Sequence, residues 1–113
     1  MRQRLIRVLF LSVLAVGFIA LSAGSSRAQS AGETLFKTKC AACHGPDGKG
    51  EVPMGKKLGI PDLNSAEVQK QSDGQLTEVI SKGKNKMPAY TDKLSKEQIA
   101  QLVAYVREIG KKH

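Results

Sequence analysis

Two cysteines and a histidine within five residues constrain this chain more than any other feature of its sequence. Cys40-Ala41-Ala42-Cys43-His44 places two thiols one helical turn apart, on the same side of the backbone, with an imidazole beside them. Cys-x-x-Cys-His is the attachment signature of c-type haem, in which both thiols bond to the porphyrin and the histidine binds iron. We therefore predict that Cys40 and Cys43 hold one covalent haem and that His44 is an axial ligand of its iron.

The same stretch has three alternative interpretations: a thioredoxin-like redox pair, half of a zinc site, or a structural disulfide. Each of them leaves the adjacent histidine unexplained, and a zinc site would need a second pair of ligands. The remaining histidine, His113, is the last residue of a lysine-bearing tail, where a solvated end is expected. The haem interpretation is favoured because it uses every residue of the pattern.

The amino-terminal 28 residues have the features of a secretory signal peptide. Three arginines precede an apolar run over residues 8–21, and Ala28 ends a sequence that a signal peptidase can cleave. The apolar run is shorter than the ~20 residues of a membrane-spanning helix. We predict a cleaved signal at 1–28, a single domain at 29–113, a periplasmic or equivalent location, and no stable membrane insertion after cleavage.

Removal of this signal lowers the positive charge. The full chain has 18 basic and 10 acidic residues, but four of the basic residues lie within 1–28, so the mature chain carries about +4. No basic-aromatic pattern follows, and nucleic-acid binding is not predicted. The lysines that remain indicate either a solvated surface or transient docking to an acidic redox protein. Candidates for docking are Lys39, Lys49, Lys56, Lys84 and Lys86.

The first part of the domain is predicted as a short helix followed by a long loop. The helix covers residues 33–40, and the turn formers of residues 45–50 begin a loop that runs to about Gly59. Residues 50–57 come close to a phosphate-binding pattern. Because Lys57 stands where Ser or Thr must hold magnesium, and no strand precedes it, a nucleotide site is rejected.

Capping signals predict three further helices. They are the Asn64-Ser65 pair, the Ser72-Gln75 box and the Ser95-Gln98 box. The second of these helices ends at Gly83, and the third carries an apolar stripe towards Gly110. Since no run of alternating strands appears, the predicted fold class is all-α with about four short helices.

An oriented histidine needs a hydrogen-bond acceptor for its outer nitrogen. Residues 60–63 form a stiff, partly apolar segment in which Pro61 fixes the backbone, so the Pro61 carbonyl is a possible partner of His44.

An iron that only moves electrons also needs a second axial ligand. With His113 at the tail, methionine is indicated, and the choice lies between Met54 and Met87. Met87 is favoured because Pro88 fixes the turn after it, whereas Met54 follows His44 by only ten residues in a glycine-rich loop. The alternative for either methionine is flexible core filling.

Taken together, these motifs resemble a small class I cytochrome c, similar to the single-haem bacterial c6 and c-oxidase-subunit types. The residues that carry the resemblance are 40–44, 45–50, 61–63, 87–90 and the Leu102/Tyr105 helix. This resemblance covers residues 31–110. It implies a fold of helices and loops wrapped around one haem, in which the first and last helices cross. The resemblance also implies that Gly32 and Phe36 contact Leu102 and Tyr105. It supports the roles given above for Pro61 and Met87. For Tyr90 it leaves two alternatives, contact with a haem propionate or packing at the surface.

The function predicted from these features is soluble electron transfer by a monomer, without enzymatic activity. Its haem c iron would cycle between Fe(II) and Fe(III) and meet redox protein partners transiently. The alternatives are a haem enzyme or gas sensor with an open distal site, and a fixed haem subunit of a larger oxidoreductase. The sequence offers no defensible general base, nucleophile or substrate pocket.

Overall fold

A computed structural model describes Arg27, Gln29 and residues 31–112. The predicted signal at 1–28 lies outside this part of the chain apart from Arg27. The described part forms five helices: α1 (31–44), α2 (Pro53–Leu58), α3 (Ala66–Gln69), α4 (Asp73–Lys82) and α5 (Lys96–Gly110). The all-α prediction is confirmed.

Helix α1 is longer than predicted and contains the entire Cys-x-x-Cys-His pattern. It is α-helical over 31–35, passes through a π-helical turn at Phe36–Cys40, and ends in an α-helical turn at Ala41–His44. The helix stops at Gly45, whose φ of 78° is accessible to glycine but costly for other residues. Turn-forming residues begin only there, so the cysteines and the histidine share one rigid element.

The prediction of an uninterrupted loop up to Gly59 is wrong, because helix α2 forms inside it. Pro53 occupies its first turn, and Gly59 ends it in the left-handed conformation, with φ 64° and ψ 40°. A Cβ on Gly55 would lie 2.5 Å from the Cys43 carbonyl oxygen and would also overlap the carbonyl of Gly50. Close packing on α1 therefore stabilises a helix that its glycine-rich surroundings do not suggest.

The predicted capping boxes of α4 and α5 are both present. At the start of α4, the Gln75 amide donates to Ser72 Oγ at 3.1 Å, and the Ser72 amide donates to Gln75 Oε1 at 2.8 Å. The corresponding distances for Ser95 and Gln98 are 3.1 and 2.9 Å. These reciprocal bonds satisfy free amide groups at each helix start, which is why the sequence located both helices correctly.

Helices α1 and α5 cross at very short range. A Cβ on Gly32 would overlap the Gln101 carbonyl oxygen and lie 3.1 Å from Tyr105 Cβ. Next to this point the rings of Phe36 and Tyr105 pack with their centroids 5.2 Å apart, and Phe36 shares its buried cluster with Leu102. The expected contact between the first and last helices is confirmed, and it rests on the absence of a side chain at Gly32.

Arg107 attaches the corner between α3 and α4 to α5. Its guanidinium donates to the Gln69 carbonyl at 2.8 Å, to Asp73 Oδ1 at 2.9 Å and to the Gln71 carbonyl. Gln69 Nε2 in turn donates to the Leu63 carbonyl at 2.8 Å. Helix α5 thereby fixes the segment that leads into α4.

None of the helices in the described part of the chain is long and apolar enough to cross a lipid bilayer.

Candidate functional site

The described part of the chain encloses a cavity of about 430 Å³, and all five helices and the loops that connect them contribute to its lining. This volume lies in the range of ~300–1,000 Å³ that is usual for cofactor and ligand sites. Most of its lining is apolar. The aliphatic lining includes Leu58, Ile60, Leu76, Val79, Ile80 and Leu102. Such a cavity can remove a large, mostly apolar molecule from water.

Both cysteines of the attachment pattern line this cavity as free thiols. Burial, and to a smaller extent the neighbouring Cys43, raises the pKa of the Cys40 thiol to about 11. Reactive redox cysteines have lowered pKa values, because their thiolates are stabilised. The environment of Cys40 therefore disfavours the thioredoxin-like interpretation, and both thiols face an apolar space.

His44 lines the same cavity from the end of α1. Burial lowers the pKa of its imidazole, which favours the neutral form that can bind a metal. The Gly50 amide donates to the His44 carbonyl at 2.7 Å and holds the backbone, while the Phe36 ring packs 6.4 Å from the imidazole centroid.

His44 Nδ1 is buried and finds no hydrogen-bond partner among the described residues. An unpaired buried polar atom costs roughly 1–3 kcal/mol. Pro61 lines the same cavity, but its carbonyl does not accept a bond from this nitrogen in the structure. Among the described residues, the imidazole packs on the Phe36 ring at an interplanar angle of 43°, and its Nδ1 makes no polar contact.

The structure separates the two candidate methionines. Met87 is half-buried and lines the cavity together with His44. Met54 lies on α2, is 46% exposed, and does not belong to the cavity lining among the described residues. Met87 is thus the methionine that shares an apolar space with the attachment pattern.

Backbone contacts fix the position of Met87. Lys84 and Met87 exchange two main-chain hydrogen bonds of 3.2 and 2.9 Å across a tight turn, in which Asn85 has a φ of 54°. Gly83 has a φ of 75°, and a Cβ there would lie 2.5 Å from the Met87 carbonyl oxygen. The backbone position of Met87 therefore depends on a glycine at position 83. The sequence indicated Gly83 only as the residue that ends a helix.

Tyr90 has a contact that the sequence did not suggest. Its ring lines the cavity, and its hydroxyl donates to the Lys39 carbonyl at 3.2 Å. A backbone acceptor leaves no mark in the sequence, so only the structure could identify it.

Charge is distributed unevenly around the cavity. Lys39, Lys84 and Lys86 are exposed and contribute to its lining, whereas Lys49 and Lys56 lie outside the lining. No Asp or Glu of the described chain lines the cavity. The side formed by residues 58–61 is uncharged, so the positive charge is concentrated next to Met87 and Cys40.

Comparisons with known proteins agree with this site. Residues 27–106 match a family model described as "Cytochrome C oxidase, cbb3-type, subunit III". Cytochrome c6 of Rippkaea orientalis is 34% identical over 104 residues, which cover 92% of this chain and 91% of that protein. The cbb3-type oxidase subunit CcoP of Azospirillum brasilense is 32% identical over 81 residues, 70% of this chain but only 28% of that subunit.

A solved structure is similar as well. The KustC0563 c-type cytochrome superposes with a TM-score of 0.64 at 35% sequence identity, covering 69% of this chain and 95% of that one. The residues present fit the cofactor that such proteins carry: two thiols, an imidazole and a thioether meet at one apolar cavity.

Replacing Gly83 with alanine tests the backbone requirement next to Met87. We expect Gly83→Ala to lower the free energy of unfolding by about 2 kcal/mol, because the new methyl group meets the Met87 carbonyl and the positive φ is disfavoured. Gly74→Ala is the matched control, since a Cβ there has only Ser72 Oγ nearby, at 3.8 Å. The control should be neutral or gain up to ~1 kcal/mol from its helical position. Urea denaturation measures both, and equal effects of the two variants would contradict the requirement.

Proposed function

The chain belongs to the family of small class I c-type cytochromes, and we propose that it is an electron shuttle whose haem iron is bound by His44 and Met87. Haem c, once bound covalently to the chain, would supply an iron that alternates between its ferrous and ferric states. The observation that carries the proposal is that His44 and Met87 line one apolar cavity while Met54 is exposed.

In this proposal, each residue of the site has a separate task. Cys40 and Cys43 form the two covalent attachments, and His44 contributes its neutral imidazole to the iron. The buried Nδ1 of His44 requires an acceptor once the ring is fixed, and the Pro61 carbonyl is the proposed one, since Pro61 lines the same cavity. A thioether ligand and an apolar enclosure both raise the reduction potential.

The same arrangement argues for a carrier and against an enzyme. If His44 and Met87 both bind the iron, no axial position remains for a substrate. The described lining also has no carboxylate to act as a general acid or base. Electron transfer needs neither an open iron position nor a general acid or base. It requires only that the haem is buried, that its iron is ligated and that a partner can approach it.

Substitution of Met87 tests the ligation. We expect Met87→Ala, in the haem-loaded protein, to lose the near-infrared absorption band of methionine ligation, to bind carbon monoxide and to show a lowered midpoint potential. The decrease should fall within the ~0.8 V that axial ligands control. Met54→Ala removes the same side chain from an exposed position and should retain the wild-type spectrum.

Unchanged carbon monoxide binding in Met87→Ala would refute the proposed ligand. In that case a gas sensor or haem enzyme with an open distal position would be the better description.

We also propose that partners approach beside Met87, where Lys39, Lys84 and Lys86 concentrate positive charge. An acidic partner would be attracted to this side, and contact would be transient.

Ferricyanide, a small anionic oxidant, serves as a probe of this surface. The Lys84→Gln/Lys86→Gln double variant should be oxidised about two- to tenfold more slowly near 0.01 M ionic strength, because electrostatic steering is weakened. The difference should diminish near 0.15 M, where the Debye length falls to ~8 Å. The control Lys111→Gln/Lys112→Gln changes the same charge outside the cavity lining. Equal slowing in both variants would show a general charge effect and not a docking surface.

We also propose that residues 1–28 direct the chain to the periplasm or an equivalent compartment and are then removed. Protein purified from that compartment should have the mass of residues 29–113 plus one haem, and its colour should stay with the polypeptide on a denaturing gel. A retained amino terminus would instead indicate an anchor.

A second candidate function follows from the match to cbb3-type subunits. This chain spans only about 28% of their length, so it corresponds to a part of such a subunit. Size-exclusion chromatography of native extract separates the two cases, since a shuttle elutes as a monomer and a fixed subunit elutes within a larger complex.

A further inference from the structure

We propose that Tyr90 is a positioning residue that ties the Met87 segment, residues 84–90, to helix α1 beside Cys40. The inference rests on the proposed role of Met87 and identifies what keeps that methionine at the cavity.

The tie is a hydrogen bond between parts of the chain that are far apart in sequence. The Tyr90 hydroxyl donates to the Lys39 carbonyl at 3.2 Å, across a separation of 51 residues. Lys39 directly precedes Cys40 and belongs to the π-helical turn of α1. The bond therefore joins the segment that carries Met87 to the element that carries the attachment cysteines.

The main chain of Tyr90 is fixed independently of its hydroxyl. Its amide is shared between the carbonyls of Ile80 and Ser81, at 3.1 and 3.2 Å. Its own carbonyl accepts from the amides of Lys93 and Leu94, at 3.0 and 2.9 Å. Tyr90 is thus anchored to the end of α4 and to the turn that leads into α5.

The ring of Tyr90 fills the space between these anchors. It packs against the buried cluster that contains Phe36 and Leu102, and Lys93 Nζ lies 5.6 Å from its centroid. The phenol is therefore rigid enough to hold its hydroxyl at the Lys39 carbonyl.

The rest of the segment has weaker support. Lys84, Asn85, Lys86, Pro88 and Ala89 are exposed, and the two bonds between Lys84 and Met87 are internal to the turn. Moving Met87 away from the cavity does not require these local bonds to break. A displacement of the whole segment from α1 would break the bond between the Tyr90 hydroxyl and the Lys39 carbonyl, so this bond opposes such a displacement.

Tyr90→Phe removes the hydroxyl and keeps the ring. We expect amide hydrogen exchange at Tyr90 and Thr91 in the haem-loaded protein to become about fivefold faster, and carbon monoxide binding to the ferrous protein to accelerate by a similar factor. Fivefold corresponds to ~1 kcal/mol, the usual net value of a neutral hydrogen bond. These two amides are suitable reporters because each donates a hydrogen bond to α4 and not within the turn of residues 84–87.

Tyr105→Phe is the matched control, because Tyr105 packs at the crossing of α1 and α5 and does not line the cavity. It should leave both rates at their wild-type values. Unchanged exchange in Tyr90→Phe, or equal acceleration in both variants, would overturn the positioning role.

The two readouts keep this inference separable from the proposed ligation. If Met87 does not bind the iron, Met87→Ala and Tyr90→Phe will both leave carbon monoxide binding unchanged. Hydrogen exchange at the Tyr90 and Thr91 amides will still show whether the Tyr90 hydroxyl restrains the segment.

Discussion

The close crossing of α1 and α5 is the contact on which the rest of this structure depends. Gly32 allows the two backbones to approach until a single methyl group would no longer fit between them. One end of α1 is fixed by this crossing, and its other end carries the two thiols and the imidazole. Because α5 also contributes Leu102 and Val106 to the cavity, the same contact sets both the site and the wall opposite it.

A second constraint is the small size of the core. The buried side chains form two clusters, around Phe36 and Leu102 and around Val68 and Val103, and Leu63 and Ile80 pack against both. A small domain buries a smaller fraction of its surface on folding than a large one does, so its own side chains stabilise it less. The large apolar cavity beside these clusters fits a domain whose cofactor completes its core as well as performing its function.

The parts of the fold that the sequence predicted are those with local causes. Ser72 and Ser95 bond within their own first helical turns, so the two capping boxes located α4 and α5. The predicted attachment pattern is local as well, since both thiols and the imidazole lie within five residues, and the structure places all three at one cavity. The preference for Met87 over Met54 followed from Pro88, and the structure brings Met87 to the cavity.

The parts that the sequence missed depend on contacts between distant segments. Helix α2 needs Gly55 against the Cys43 carbonyl, and composition alone made that region look like a loop. Tyr90 and Arg107 both donate to backbone carbonyls, and any residue type supplies the same acceptor. The expected bond from His44 to Pro61 could not be judged from sequence either, since it depends on the orientation of one ring.

These backbone acceptors have a consequence for how freely the sequence can vary. The carbonyls of Gln101, Gly50, Cys43 and Met87 receive the closest approaches around the site, and the Lys39 carbonyl accepts its longest-range hydrogen bond, yet none of these contacts uses the side chain of its residue. The fold therefore constrains the residue type at the glycines and at the residues whose side chains donate these hydrogen bonds. On the acceptor side, Gln101 can change for solubility while the geometry around the cavity is preserved. Lys39 can change without loss of its carbonyl contact, and only its charge in the proposed docking surface limits that change.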